Sequence, residues 1–169
     1  MNKFTEHIIR FTGLVLLQIL ILNNIQISGY INPYAYLLFV MILPPKMEKI
    51  FVLVCAFILG LIIDIFSDSF GVHTAAIVFL AYTRPKLLAL VSIKGGEDLE
   101  EISMKQLRFN RFFTYASLSC FLHHFILFIL DAFRISEFFD TMIRTFYSSI
   151  ISLAIILLIE SLRSNSRIK

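Results

Sequence analysis

The sequence predicts an all-α integral membrane protein that crosses the bilayer several times. Of the 169 residues, 58% are hydrophobic and only 16% are charged, and the mean hydropathy is +0.83. A soluble domain of this size has too little polar surface to cover so much apolar mass. The apolar residues also fall into six separate runs. The composition therefore excludes a soluble enzyme, a nucleic-acid-binding domain, a disordered chain and a secreted disulfide scaffold.

The six runs predict six helices in one membrane domain that covers residues 1–169. Their approximate bounds are 8–27, 30–43, 47–66, 72–93, 109–130 and 138–162. The first, third, fifth and sixth reach or approach the roughly 20 residues that a spanning helix needs. The first resembles a signal peptide, but it ends in Asn23 and Asn24 with no small-residue cleavage site, so we expect it to be retained.

The second and fourth segments are the least regular. A 14-residue helix rises only about 21 Å, whereas the hydrocarbon core is about 30 Å thick. The second segment can still cross if its helix continues beyond Pro44 and Pro45 or if the bilayer is locally thin. The fourth is interrupted by Arg84 and Pro85, and we expect Arg84 to extend to water at a membrane face.

The distribution of basic residues predicts the orientation. If six spans alternate from an inner N-terminus, every Lys and Arg of the 15 in the chain lies inside except Arg134 and Arg144. Cytoplasmic flanks of membrane helices carry such an excess of basic residues. We therefore expect both termini in the cytoplasm.

The longest loop, about 94–108, is predicted to be cytoplasmic. Asp98 followed by Glu101 resembles a capping box, which favours a short helix over Leu99–Arg108. This segment is either a solvated linker or a docking surface for a cytoplasmic partner.

Five polar side chains are predicted to share one layer in the outer half of the membrane. Counting about 1.5 Å per residue from the inner basic flank places all five at roughly 18–22 Å. They are Asn23, Asn24, Asp64, His123 and His124. Polar groups at this depth bond helices together, relay protons or bind a polar solute, or face headgroups at a thinned outer edge.

No catalytic or cofactor signature accompanies these residues. The chain has no nucleophile elbow, P-loop, dinucleotide fingerprint or HExxH motif. The adjacent pair His123 and His124 lacks the i, i+4 spacing of helical metal sites. Cys55 and Cys120 lie inside apolar runs and are expected to be buried. We therefore expect no enzyme activity, no cofactor and no metal.

The end of the third segment carries a motif. Residues 60–71, GLIIDIFSDSFG, resemble the G-x-x-x-D-x-x-x-x-x-x-G signature of the bacterial rod shape-determining MreD family. In that family the first glycine and the aspartate end the third helix, and the second glycine starts the fourth. Gly60, Asp64 and Gly71 occupy these positions. Asp68 departs from the small residue that many members have there.

The resemblance implies a non-enzymatic scaffold of the cell-elongation complex in the bacterial cytoplasmic membrane. Such a protein would bind membrane lipid and the MreC scaffold protein. Through MreC it would connect MreB filaments to peptidoglycan synthesis by the RodA polymerase. It would act as a monomer or a homodimer, without nucleic acid.

The family is also similar in fold to substrate-binding subunits of energy-coupling-factor transporters. The alternative function is therefore a small solute-binding subunit of a vitamin-type transporter. It predicts an enclosed polar pocket around Asp64, His123 and Asn24 that opens to the outside, whereas the scaffold function predicts no such pocket.

Overall fold

The computed structural model describes residues 3–25, 31–92, 99, 101–132 and 138–166. These residues form the helices α1 (Lys3–Leu20), α2 (Leu37–Ile42), α3 (Lys49–Ser67), α4 (Val72–Val91), α5 (Met104–Leu107), α6 (Phe109–Ala132) and α7 (Phe138–Ser166). Within the described chain, five helices are long and apolar enough to cross a membrane, namely all except α2 and α5. The all-α prediction is confirmed, and the six predicted segments correspond to five long helices and one short one.

The five long helices form a curved row in the order α1, α3, α4, α6, α7. Each neighbouring pair in this row is in contact, and α2 also contacts α1, α3, α4 and α6. The short helix therefore lies on the inner side of the row. Every one of its residues is buried, with at most 4% of the surface exposed. The outer faces of the long helices carry exposed Ile, Leu and Phe side chains, as expected of surfaces that face lipid.

The second segment differs most from its expected helix over 30–43. Its helix covers only Leu37–Ile42, and residues 32–35 before it have no helical structure. Pro33 cannot donate a helical hydrogen bond, and Pro44 and Pro45 stop the helix at its other end. Residues 33–43 are nevertheless buried inside the bundle. Non-helical backbone is tolerated at such depth only where protein groups satisfy its hydrogen bonds.

Arg84 does not extend to water, so that expectation is wrong. Its side chain is only 4% exposed, and one guanidinium nitrogen donates to the carbonyl of Leu43. The hydroxyl of Tyr115 donates to the carbonyl of Met41 over 3.1 Å. These two side chains donate hydrogen bonds to carbonyl groups at the C-terminal end of α2. A helix favours a positive charge, here that of Arg84, at this end. The helix α4 continues through Pro85 to Val91.

The loop before α6 is attached to the end of α7. The short helix α5 begins after Ser103, whose Oγ accepts from the N–H of Gln106 over 3.2 Å. Glu160 is fully buried and accepts from the N–H of Met104 over 3.1 Å and from Arg163 over 2.6 Å. The helix expected over Leu99–Arg108 is therefore shorter than predicted and covers only Met104–Leu107. The capping role predicted for Asp98 lies outside the described residues.

Candidate functional site: a polar core beside a cavity

The turn between α3 and α4 is organised by the carboxylate of Asp64. It accepts hydrogen bonds from the N–H groups of His73 over 3.0 Å and Thr74 over 2.8 Å, and from the hydroxyls of Ser69 over 2.6 Å and Thr74 over 2.5 Å. The first N–H groups of a helix have no partner within it, and a negative charge there also favours the helix dipole. Asp64 therefore caps α4 from the neighbouring helix.

The two glycines of the motif permit this cap for different reasons. A Cβ at Gly60 would lie 2.4 Å from the Cα of Thr74, so only glycine lets α3 and α4 approach so closely. Gly71 precedes α4 with φ of +86°, a conformation that favours glycine. Asp68 ends α3 with φ of +50°, which aspartate tolerates better than most residues. The departure at position 68 is therefore compatible with the turn.

The extended residues before α2 obtain their hydrogen bonds from side chains on both sides. On one side, Ser148 accepts from the N–H of Asn32 over 3.3 Å, and Ser152 accepts from the N–H of Tyr34 over 2.8 Å. Two extended residues rise about 6.6 Å and four helical residues about 6 Å, so the spacings match. The serine pair on α7 thus takes the place of a neighbouring strand.

On the other side, Gln18 of α1 completes the same pairing. Its Nε2 donates to the carbonyl of Pro33 over 3.1 Å, and its Oε1 accepts from the N–H of Ala35 over 2.8 Å. Its Nε2 also donates to Asn23 over 2.9 Å, and the side chain of Gln18 is fully buried. One carboxamide therefore satisfies backbone groups two residues apart, as a paired strand does.

Three histidines lie next to this segment. The hydroxyl of Tyr36 lies 2.9 Å from Nδ1 of His73 and 2.7 Å from Nε2 of His123, so it donates to one ring and accepts from the other. His124 donates from Nδ1 to the carbonyl of Cys120 over 2.7 Å. Its Nε2 therefore accepts from Ser152 over 3.0 Å. These bonds join α2, α4, α6 and α7.

The five residues of the predicted polar layer do not form one cluster. Asp64 reaches His123 only through His73 and Tyr36, and His124 bonds to Ser152. Asn23 donates to Ser67 over 3.0 Å, whereas the exposed Asn24 donates to two carbonyls at the end of α1.

The sequence interpretation did not identify Gln18, Tyr34, Tyr36 or His73. Each of them has hydrogen-bonding capacity inside an apolar run. A polar side chain within an apolar run is the feature that selected His123 and His124, and these four residues share it.

A cavity of about 380 Å³ adjoins the polar core. Its polar lining comes from the end of α1 and the extended segment, from the α3–α4 turn, and from α6 and α7, namely Asn23, Asn24, Asn32, Tyr34, Ser67, Asp68, Ser69, His73, Asp131 and Arg144. Tyr34 and His73 are buried, with 7% and 4% exposure, whereas Asp68 and Asp131 are exposed. The cavity thus has a buried floor and an exposed rim. Of the three residues around which a pocket was predicted, Asn24 lines it, but Asp64 and His123 are not part of the lining.

The part of the chain that the structure describes has no group of side chains suited to binding a metal ion. No set of three or more His, Cys, Asp or Glu side chains lies close enough there to hold an ion.

Comparisons with known proteins identify no relative of this chain. No family model matches the chain, and neither the curated proteins nor the solved structures give a match. The resemblance to the MreD family therefore depends on the motif and on the general pattern of the sequence.

Proposed function

We propose that this chain is a non-enzymatic membrane scaffold of the MreD type in the bacterial cell-elongation complex. The geometry of residues 60–71 is the observation that carries the proposal. Gly60 permits the close approach of two helices, Asp64 caps the second helix, and Gly71 forms the turn before it. Each motif position thus has a physical reason for its residue type. The hairpin would give the scaffold a rigid pair of helices.

The proposed topology has six crossings and both termini in the cytoplasm. Five long helices account for five crossings. Residues 31–35, extended at about 3.3 Å each, and residues 36–42, helical at about 1.5 Å each, together reach roughly 27 Å. That length is close to the roughly 30 Å of the hydrocarbon core. The extended half therefore supplies the reach that a 14-residue helix lacks.

The direction of the second segment supports the same topology. Asn32 and Tyr34 bond to successive turns of α7 in the order Ser148 and then Ser152, so this segment and α7 run in parallel. In a six-span chain, the second and sixth segments both run from the outside inwards. We place the chain in the cytoplasmic membrane, with its exposed apolar faces against lipid and an MreC-type partner.

Depletion in the bacterium that encodes the chain tests the cell-shape function. We expect rod-shaped cells to become round and to recover when the wild-type gene is restored. A Gly60→Leu variant should fail to restore rods, because its side chain would meet the backbone of Thr74. A Gly13→Leu variant is the matched control, since nothing lies within 4 Å of a Cβ at that position. Rods that persist after full depletion would contradict the proposal.

Purification from the native membrane tests the proposed partner. We expect a mild-detergent preparation to contain an MreC-type protein and, through it, MreB and a RodA-type polymerase. The complex should be lost in the Gly60→Leu preparation and retained in the Gly13→Leu preparation.

The cavity favours the second candidate, a solute-binding subunit of a transporter. Its volume of about 380 Å³ and its polar lining fit a small solute. Uptake of vitamins should then depend on the chain and on Asn32, which lines the cavity. Rod shape should not depend on it, so the two phenotypes separate the candidates.

A further inference from the structure

The hydrogen-bonding groups that line the cavity have unequal numbers of free donors and acceptors. Asn24 and Asn32, which both line the cavity, use their Nδ2 groups as donors to the protein, and among the described residues nothing donates to their Oδ1 atoms. Among the described residues, no group donates to the carboxylate of Asp68. Two buried side chains at the floor, Tyr34 and His73, also lie against the cavity. Within the described residues, Nε2 of His73 has no hydrogen-bond partner, since its bonds use Nδ1 and the backbone.

The positive groups near the cavity are already engaged. The N–H groups at the start of α4, which would otherwise attract an anion, donate to Asp64. The guanidinium of Arg144 pairs with Asp131 over 2.9 Å and lies 4.1 Å from the ring centroid of Phe128. The lining carries two carboxylates and one guanidinium, so its formal charge is negative. An anionic ligand would therefore find few free donors and an unfavourable charge.

A ligand with several N–H donors and a positive charge fits these groups best. An ammonium group offers three donors and no acceptor, which complements a carboxylate and two carboxamide oxygens. The aromatic ring of Tyr34 adds a surface that attracts cations. The volume of about 380 Å³ is within the range of pockets that bind small molecules.

We propose that this cavity binds a primary ammonium group, held by Asp68 and by the side-chain oxygens of Asn24 and Asn32. The ammonium group belongs to a small amine solute or to an aminophospholipid headgroup. The site exists whether the chain is a scaffold or a transporter subunit, so the inference does not depend on the proposed function.

Thermal denaturation of the purified full-length chain in phosphatidylcholine nanodiscs tests the solute source. Cys120 is fully buried, but Cys55, which was also expected to be buried, is only half-buried. In a Cys55→Ala background, used for all variants, a dye that fluoresces on reaction with thiols therefore reports unfolding by reaching Cys120. Ethanolamine at about ten times its Kd should raise Tm by roughly 3–6 °C. Ethylene glycol, which replaces the ammonium with a hydroxyl, should have no effect. Choline, which keeps the charge but has no N–H, should raise Tm less than ethanolamine does.

The lipid source is tested by replacing part of the phosphatidylcholine with phosphatidylethanolamine. Aminophospholipid should raise Tm if the ligand is a headgroup, with or without an effect of free ethanolamine.

Either increase should be abolished in Asp68→Asn, because asparagine keeps the backbone conformation but lacks the charge. It should persist in Asp140→Asn, an exposed acidic position on α7 outside the cavity lining. The proposal is overturned if neither amine source raises Tm, if ethylene glycol acts as strongly, or if Asp68→Asn keeps the effect.

Discussion

The substitution Gly60→Ala tests the packing of α3 against α4. The added Cβ would lie 2.4 Å from Cα and 2.9 Å from N of Thr74, and 2.8 Å from Cγ2 of Ile77. Carbon atoms in contact prefer about 3.5–4.0 Å, so the helices must separate by about 1 Å. The backbone of Thr74 cannot shift freely, because its N–H and hydroxyl are both held by Asp64. The strain therefore reaches the cap of α4.

Comparable substitutions indicate how much stability Gly60→Ala should lose. Overpacking in a well-packed core costs about 1–3 kcal/mol, and each kcal/mol lowers Tm by about 2–4 °C in a chain of this size. We therefore expect Gly60→Ala to melt about 2–12 °C below wild type in the thiol-dye assay. Gly13→Ala is the matched control, since a Cβ there meets nothing within 4 Å and alanine favours the helix. If the two variants melt alike, the close approach of α3 and α4 is not as described.

Three further substitutions test the polar core by the same assay. Asp64→Asn should lower the stability by about 1–3 kcal/mol, because an amide cannot accept every bond that the carboxylate accepts, and Asp140→Asn should have no effect. Gln18→Leu should lower the free energy of unfolding by about 2–6 kcal/mol, because it leaves two buried backbone groups unpaired. A wild-type Tm would show that Gln18 does not hold the extended segment. Tyr36→Phe should lower the free energy of unfolding by about 2–6 kcal/mol, since a ring nitrogen of His73 and one of His123 each lose a buried partner. An unchanged Tm would argue against these bonds.

The long apolar runs were predictable because their pattern is local. The third segment was expected over 47–66 and forms Lys49–Ser67, and the fifth was expected over 109–130 and forms Phe109–Ala132. In lipid, an uninterrupted apolar run must satisfy its backbone within itself, so composition alone predicts a helix. The small residues Ala56 and Gly60, four positions apart, are buried on the face of α3.

The second segment was not predictable by the same reasoning. Its backbone partners are Gln18, 17 residues before Ala35, and Ser152, 118 residues after Tyr34. No pattern within 30–43 reveals such distant donors and acceptors. Arg84 shows the same limit, because a buried guanidinium becomes acceptable only when the carbonyl end of α2 is next to it. Sequence reasoning assumes water as the partner of an isolated charge.

The polar groups of the core separate into two sets by the partners that they have. The first set holds the extended residues before α2: Gln18 and Ser152 bond to their backbone, and His124 bonds to Ser152. These bonds replace the hydrogen bonds that the second segment would make within itself if it were a full-length helix. This set accounts for interhelical bonding without any ligand. The side chains of Asn32 and Asp68 line the cavity, and their acceptors take no part in these bonds. These acceptors take no part in bonding the helices together, so the second set is where the proposed ammonium group would bind.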